Sequence, residues 1–97
     1  MFMNLLKIGH LNIKIYGRTQ GVFFRDSSRR KAKKLGLKGF VRNEDDGTVY
    51  IEAEGEKDAL KQFLAWCHKG SWLAKVEKVD YQSVSEIKNF PDFVIEY

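Results

Sequence analysis

Leu11-Asn12-Ile13-Lys14-Ile15-Tyr16-Gly17-Arg18-Thr19-Gln20-Gly21-Val22 passes from one backbone period to another. Leu11, Ile13 and Ile15 alternate with more polar neighbours, the two-residue period of a strand with one buried face. Gly17 and Gly21 then bound a short loop, and from Val22 to Leu35 no Gly or Pro interrupts a stretch rich in Arg, Lys and Ala. Along it Phe24, Ser28, Ala32 and Leu35 recur at helical spacing. They form an inward stripe and leave Arg29, Arg30, Lys31, Lys33 and Lys34 mostly on the rest of the circumference. Gly36 stands where a helix C-terminal glycine belongs. The expected unit is a strand, a glycine loop and a helix.

Outward from that unit, Leu37–Asn43 and Thr48–Glu54 are two further strand-like runs, and the Asp46-Gly47 pair between them marks a hairpin. Gly55-Glu56-Lys57-Asp58 opens a second helix with acidic residues at its positive end. Leu60, Phe63, Leu64 and Cys67 follow on one face of it. A fourth strand is expected between Ala74 and Val84, around Val76, Val79 and Tyr81, and Phe93–Tyr97 is a short last one. This order predicts an α+β, ferredoxin-like βαββαβ sandwich: an antiparallel sheet of four to five strands with two helices on one face. In that topology the first and second strands run parallel with the third between them. Their C-terminal ends, Gly17 and Asn43, then emerge on one edge of the sheet, beside the start of the first helix. Two strand spacings amount to about 9 to 10 Å, so side chains from both ends can converge on one small ligand.

Composition bounds the class. Ninety-seven residues, 43% hydrophobic and 31% charged, suit one globular domain. Residues 1–10 are expected to be a short extension ahead of a domain spanning 11–97. The extension has no basic leader and its apolar stretch is only a few residues, so neither a signal peptide nor a membrane span is expected. Cys67 is the only cysteine and has no intrachain partner, which suits a reducing compartment, and a cytoplasmic monomer is expected. Seventeen Lys and Arg against thirteen Asp and Glu leave +4, which favours an anionic ligand without identifying it.

The loop from Gly17 to Gly21 leads into a helix N-terminus, where free N–H groups and the positive dipole end make an anion site. It also reads as an ordinary glycine-containing connection. Its spacing matches neither the dinucleotide nor the nucleoside-triphosphate fingerprint. Arg25 falls in the first helical turn, where a cation opposes the dipole and calls for an anionic neighbour. That neighbour is either a ligand phosphate, held by the guanidinium fork, or Asp26. Asn43 ends the second strand; its carboxamide can orient a water but not deprotonate it, and it can equally cap the turn. Asp45 and Asp46 are explained by the turn, not by acid–base chemistry. His10 and His68 are too few and too isolated for a metal site, and Cys67 on the apolar stripe reads as core.

Gly17-Arg18-Thr19-Gln20-Gly21-Val22-Phe23-Phe24-Arg25, followed by Gly39-Phe40-Val41-Arg42-Asn43 and Asp46-Gly47-Thr48-Val49, resembles the acylphosphatases. The resemblance runs from about Leu11 to Tyr97. It implies hydrolysis of acyl phosphates to a carboxylate and inorganic phosphate, with neither metal nor organic cofactor. Carried over by position, Arg25 and the amides of Gly17, Arg18, Thr19, Gln20, Gly21 and Val22 would hold the phosphoryl group, and Asn43 would position the attacking water. Thr19 stands where the family more often has a small aliphatic residue, and Gly70-Ser71-Trp72 replaces a frequent Gly-Pro. Glu44 places a negative charge beside the expected phosphate site.

Two other readings use the same fold. An RNA-binding module is suggested by Lys38-Gly39-Phe40-Val41, which echoes one RNA-recognition signature but sits in the second strand and lacks the aromatics that should follow. A small-anion-binding domain without turnover is the other. The resemblance favours the enzyme, with no nucleic-acid partner.

Overall fold

Alternation along the first strand sets the layers. In the computed structural model, which describes residues 7–97, Leu11, Ile13 and Ile15 are buried under the helices while their neighbours face the opposite side of the sheet. The elements are β1 (Ile8–Arg18), α1 (Phe24–Lys34), β2 (Lys38–Asn43), β3 (Val49–Glu56), α2 (Lys57–Lys69), β4 (Lys75–Ser83) and β5 (Phe93–Glu96). The sheet order is β4-β1-β3-β2-β5. β3 runs antiparallel to both β1 and β2, as the predicted topology requires.

Two details of the sheet differ from the sequence expectation. β5 pairs parallel to β2, so the five-stranded sheet is mixed, not wholly antiparallel. β1 begins at Ile8, since Ile8, Gly9 and His10 are in register with Glu56, Gly55 and Glu54, so the last residues of the expected extension are strand. Residues 1–6 of that extension lie outside the described residues.

The predicted stripes face the core: Phe24, Ser28 and Ala32 from α1, and Leu60, Phe63 and Cys67 from α2. α1 starts two residues after Val22 because Phe23 adopts a left-handed conformation and cannot join the helix. Trp66 lies against Phe24 and stacks on Phe63, closing the core between the helices. Burial raises the Cys67 thiol far above its usual range, consistent with a packing role. The three-residue spacing from Val76 to Val79 in β4 is a bulge: Ile15 pairs with Val79 but Gly17 with Val76. No described helix is long and apolar enough to cross a membrane.

On the face opposite the helices, the segment between β4 and β5 crosses the sheet and is held by a buried polar cluster. His10 is 1% exposed; its two ring nitrogens lie 2.8 Å from Glu54 and 2.9 Å from Glu52. Glu54 also accepts the backbone N–H groups of Lys88 and Phe90, and Glu52 accepts Lys88 Nζ and the Tyr50 hydroxyl. Phe90 packs on His10 and edge-on to Phe40, which is only 8% exposed. Phe40 is therefore covered and cannot serve as the base-stacking platform that the RNA-binding reading needs.

Burial alone would push Glu52 and Glu54 upward. Lys88, Tyr50 and His10 at Glu52, and Lys88, His10 and Phe90 at Glu54, outweigh it and hold both below the usual carboxylate value. A depressed folded-state value means the cluster stabilises fully above the unfolded value, near 4.5, and loses that contribution as pH falls through the folded values. Urea denaturation is expected to show stability falling below about pH 4.5. His10→Ala removes one buried hydrogen bond from each carboxylate while Lys88, Tyr50 and Phe90 keep theirs, and should cost about 1 to 3 kcal/mol at neutral pH. An unchanged urea midpoint in that variant would contradict the assignment.

Candidate active site

β3 fixes where the two expected site segments end. Val49 is in register with Ile15 of β1 on one side and with Asn43 of β2 on the other, so the loop after β1 and the end of β2 meet at one level. Gly17 has φ 120°, and a Cβ there would fall 2.2 Å from the Lys75 carbonyl oxygen, so the close approach of β4 alone demands glycine. Gly21 is different. It has open space around it, and only its left-handed φ of 76° calls for glycine. Phe23 is also left-handed, with φ 60°, and its ring is 74% exposed, a strained placement for a bulky residue at the mouth of a cleft. α1 then starts without a side-chain cap, leaving first-turn N–H groups for another acceptor.

Two side chains that periodicity does not reveal hold the loop. Gln20 Nε2 donates to the carbonyls of Glu44 at 2.9 Å and Thr48 at 3.0 Å, tying the loop to the β2–β3 turn. Ser71 Oγ donates to the Val22 carbonyl at 3.1 Å, so the residue in place of the family's frequent proline anchors the loop from its other side.

Between these segments lies a cleft of about 270 Å³, to which Thr19, Gly21, Arg25 and Asn43 contribute from the expected site, and Ile95 and Tyr97 from the β5 region. Gly17, Arg18, Gln20 and Val22 do not line it. Arg18 is paired with Lys75 as the last residue of β1, and the other three shape the loop. A larger groove of about 760 Å³ lies between β1, α2 and β4, and contains none of the residues expected at the site.

Arg25 has no carboxylate partner among the described residues. Asp26, the competing partner, is engaged by Arg29 at 2.8 Å and Arg30 at 3.1 Å, and their hydrogen bonding and charge hold it below the usual range. The Arg25 guanidinium instead lies 5.0 Å from the Tyr97 ring centroid. Asn43 makes no turn-capping bond: its Oδ1 is buried without a hydrogen-bond partner among the described residues. Thr19 Oγ1 is in the same condition. Glu44 is 3.4 Å from Arg42, which neutralises the charge beside the cleft. Asp46 is held down to about 2 by hydrogen bonds from the Thr48 hydroxyl and N–H and by Lys14, so it is an ionised turn carboxylate and no proton carrier at neutral pH.

Fold and cleft together define an α+β domain in which an arginine without a carboxylate partner and an unpartnered carboxamide oxygen line one small cleft beside an uncapped helix start. The chain belongs to the acylphosphatase family, hydrolases acting on acid anhydrides: the acylphosphatase family model matches residues 11–95. The acylphosphatase of Methylococcus capsulatus is 40% identical over 85 residues, covering 88% of this chain and 92% of its own. Among solved structures, an acylphosphatase from Coxiella burnetii superimposes with a TM-score of 0.92 at 31% identity, covering 99% of this chain and 100% of its own. That from Bacillus subtilis gives 0.90 at 36% identity, covering 92% and 99%.

The two loop anchors should be separable by stability. Ser71→Ala leaves a buried carbonyl unpaired and is expected to cost about 1 to 3 kcal/mol in urea denaturation. Gln20→Ala frees only the exposed Glu44 carbonyl, since that of Thr48 still accepts the Glu44 N–H, and should cost about 1 kcal/mol or less. The reverse order would mean that the loop is held chiefly from the β2–β3 side.

Proposed function

We propose that the chain hydrolyses the carboxyl-phosphate bond of acyl phosphates, with Arg25 and amides of the Gly17–Val22 loop, foremost those of Thr19 and Gly21 that line the cleft, holding the phosphoryl group and Asn43 positioning the attacking water. The observation that carries this reading is the pairing, in one cleft, of a guanidinium without a carboxylate partner and a buried carboxamide oxygen without a donor. A basic residue in the first helical turn is unfavourable unless an anion sits there, and the nearby acidic side chains are already matched to Arg29, Arg30 and Arg42. A phosphoryl group supplies that anion, and the fork of Arg25 suits two of its oxygens.

The chemistry asks little more of the protein. Water attacks phosphorus, the bond from phosphorus to the acyl oxygen breaks, and the electron pair leaves with a carboxylate. The water proton passes to a phosphoryl oxygen, giving dihydrogen phosphate. Asn43 Oδ1 accepts a hydrogen bond from the water and aims its lone pair without taking the proton. Because the leaving group is good, positioning and electrostatic stabilisation supply the rate enhancement. The reaction as proposed needs neither metal nor organic cofactor, and the enzyme acts as a monomer in the cytoplasm, where a lone buried thiol stays reduced.

With benzoyl phosphate as substrate, Asn43→Ala is expected to keep the wild-type circular-dichroism spectrum and lose on the order of 10²-fold or more in kcat. Wild-type turnover in that folded variant would remove the water-positioning role. Arg25→Ala should raise KM and lower kcat together, because the phosphoryl group is charged in ground and transition states alike. Turnover should persist in EDTA; a loss that added metal restores would contradict the cofactor-free route.

A further inference from the structure

Three described side-chain atoms are buried without a hydrogen-bond partner: Thr19 Oγ1, Arg29 Nε and Asn43 Oδ1. The Arg29 guanidinium is satisfied elsewhere, through its bond to Asp26. The remaining two belong to residues lining the same cleft as Arg25. Buried polar groups are overwhelmingly partnered in folded proteins, so two orphans at one cleft point to a shared ligand.

We propose that Thr19 is a further catalytic residue, its hydroxyl donating a hydrogen bond to a non-bridging phosphoryl oxygen of the substrate. The proposal rests on the acyl-phosphate reading of the cleft and goes beyond it by assigning a side-chain donor within the loop. Thr19 is 1% exposed. It cannot swing out to solvent, because Gly17 is wedged against Lys75 on one side and Gln20 is bonded to Glu44 and Thr48 on the other. Valine has the same shape and would fill the site without burying a hydroxyl, so packing alone does not account for threonine. The polarity of the two orphans divides the work. Asn43 Oδ1 only accepts, so it serves the water; an ionised phosphoryl oxygen also only accepts, so it needs donors. The Thr19 hydroxyl rotates to supply one, alongside Arg25 and the loop amides, and adds a neutral donor where charge builds on the equatorial oxygens.

The test compares wild type, Thr19→Val, Thr19→Ser and Thr19→Ala by benzoyl phosphate kinetics, by inhibition with inorganic phosphate and by thermal melting. Thr19→Val is expected to melt at or above the wild-type temperature, yet to lose about 10- to 100-fold in kcat/KM and to bind inorganic phosphate more weakly, as for a lost hydrogen bond to a charged group. Thr19→Ser should keep most activity, and Thr19→Ala should resemble Thr19→Val. Wild-type kinetics in a folded Thr19→Val would overturn the proposal. So would a Thr19→Ser variant as impaired as Thr19→Val, since the methyl group and not the hydroxyl would then matter. Should Thr19→Val fail to fold, the Ser and Ala pair decides by the same criterion. Failure of the underlying reading looks different: wild type itself would leave benzoyl phosphate intact, or Asn43→Ala would match it.

Discussion

A strand that lies between two others can hold both in register at a single residue, and Val49 does so here, opposite Ile15 on one side and Asn43 on the other. That register places the loop after β1 and the carboxamide at the end of β2 about two strand spacings apart, roughly 9 to 10 Å. The gap suits a tetrahedral guest, but nothing in the sheet alone would keep the loop over it. Gln20 closes the frame by reaching from the loop to the carbonyls of Glu44 and Thr48, which flank the turn leading from Asn43 to Val49. Loop, turn and strand ends therefore form one ring of hydrogen bonds around the cleft. The shape of the cleft follows from strand order, and the loop is held over it by Gln20 on one side and Ser71 on the other.

Charge is arranged by subtraction. The chain carries +4 overall, yet its cations near the cleft are mostly matched: Arg29 and Arg30 to Asp26, Arg42 to Glu44 and Glu96, Lys14 to Asp46. Arg25 is left against an aromatic ring, which orients a guanidinium without neutralising it. Asp26 also lines the cleft, but Arg29 and Arg30 offset its charge, so Arg25 keeps its own charge beside the N–H groups of an uncapped helix start.

The strand, glycine loop and helix were legible because each has its own backbone period, and the topology followed from their order. Arg25 and Asn43 were legible as candidates, though each kept a rival explanation that only geometry removes: Asp26 turns out to be occupied, and Asn43 does not cap its turn. Periodicity misled where a second layer covers a position it marks as outward. His10, Glu52 and Glu54 alternate with core residues, so the pattern sends them to solvent, whereas the segment carrying Lys88 and Phe90 buries them. That segment has no repeating pattern of its own, so nothing in the sequence announced it. The parallel pairing of β5 was hidden for the same reason, because direction depends on how that segment crosses the sheet. Gln20 and Ser71 act through side-chain bonds to distant carbonyls, which leave no mark on hydrophobic spacing.

The covered face and the cleft share one element, β5. β5 is a four-residue edge strand that pairs only with β2, too short to hold its place by ladder hydrogen bonds alone. Its position is set at one end by the crossing segment, which Glu52 and Glu54 fix through Lys88 and Phe90, and along its length by Phe93 in the core. Its other end brings Ile95 and Tyr97 to the cleft and sets Tyr97 against Arg25. A path of named contacts thus runs from His10 through Glu54 and the crossing segment to β5, and from Tyr97 to the Arg25 guanidinium. A purely apolar packing could often replace such a polar cluster at little cost in stability; here its carboxylates satisfy the backbone N–H groups of the segment that leads into β5.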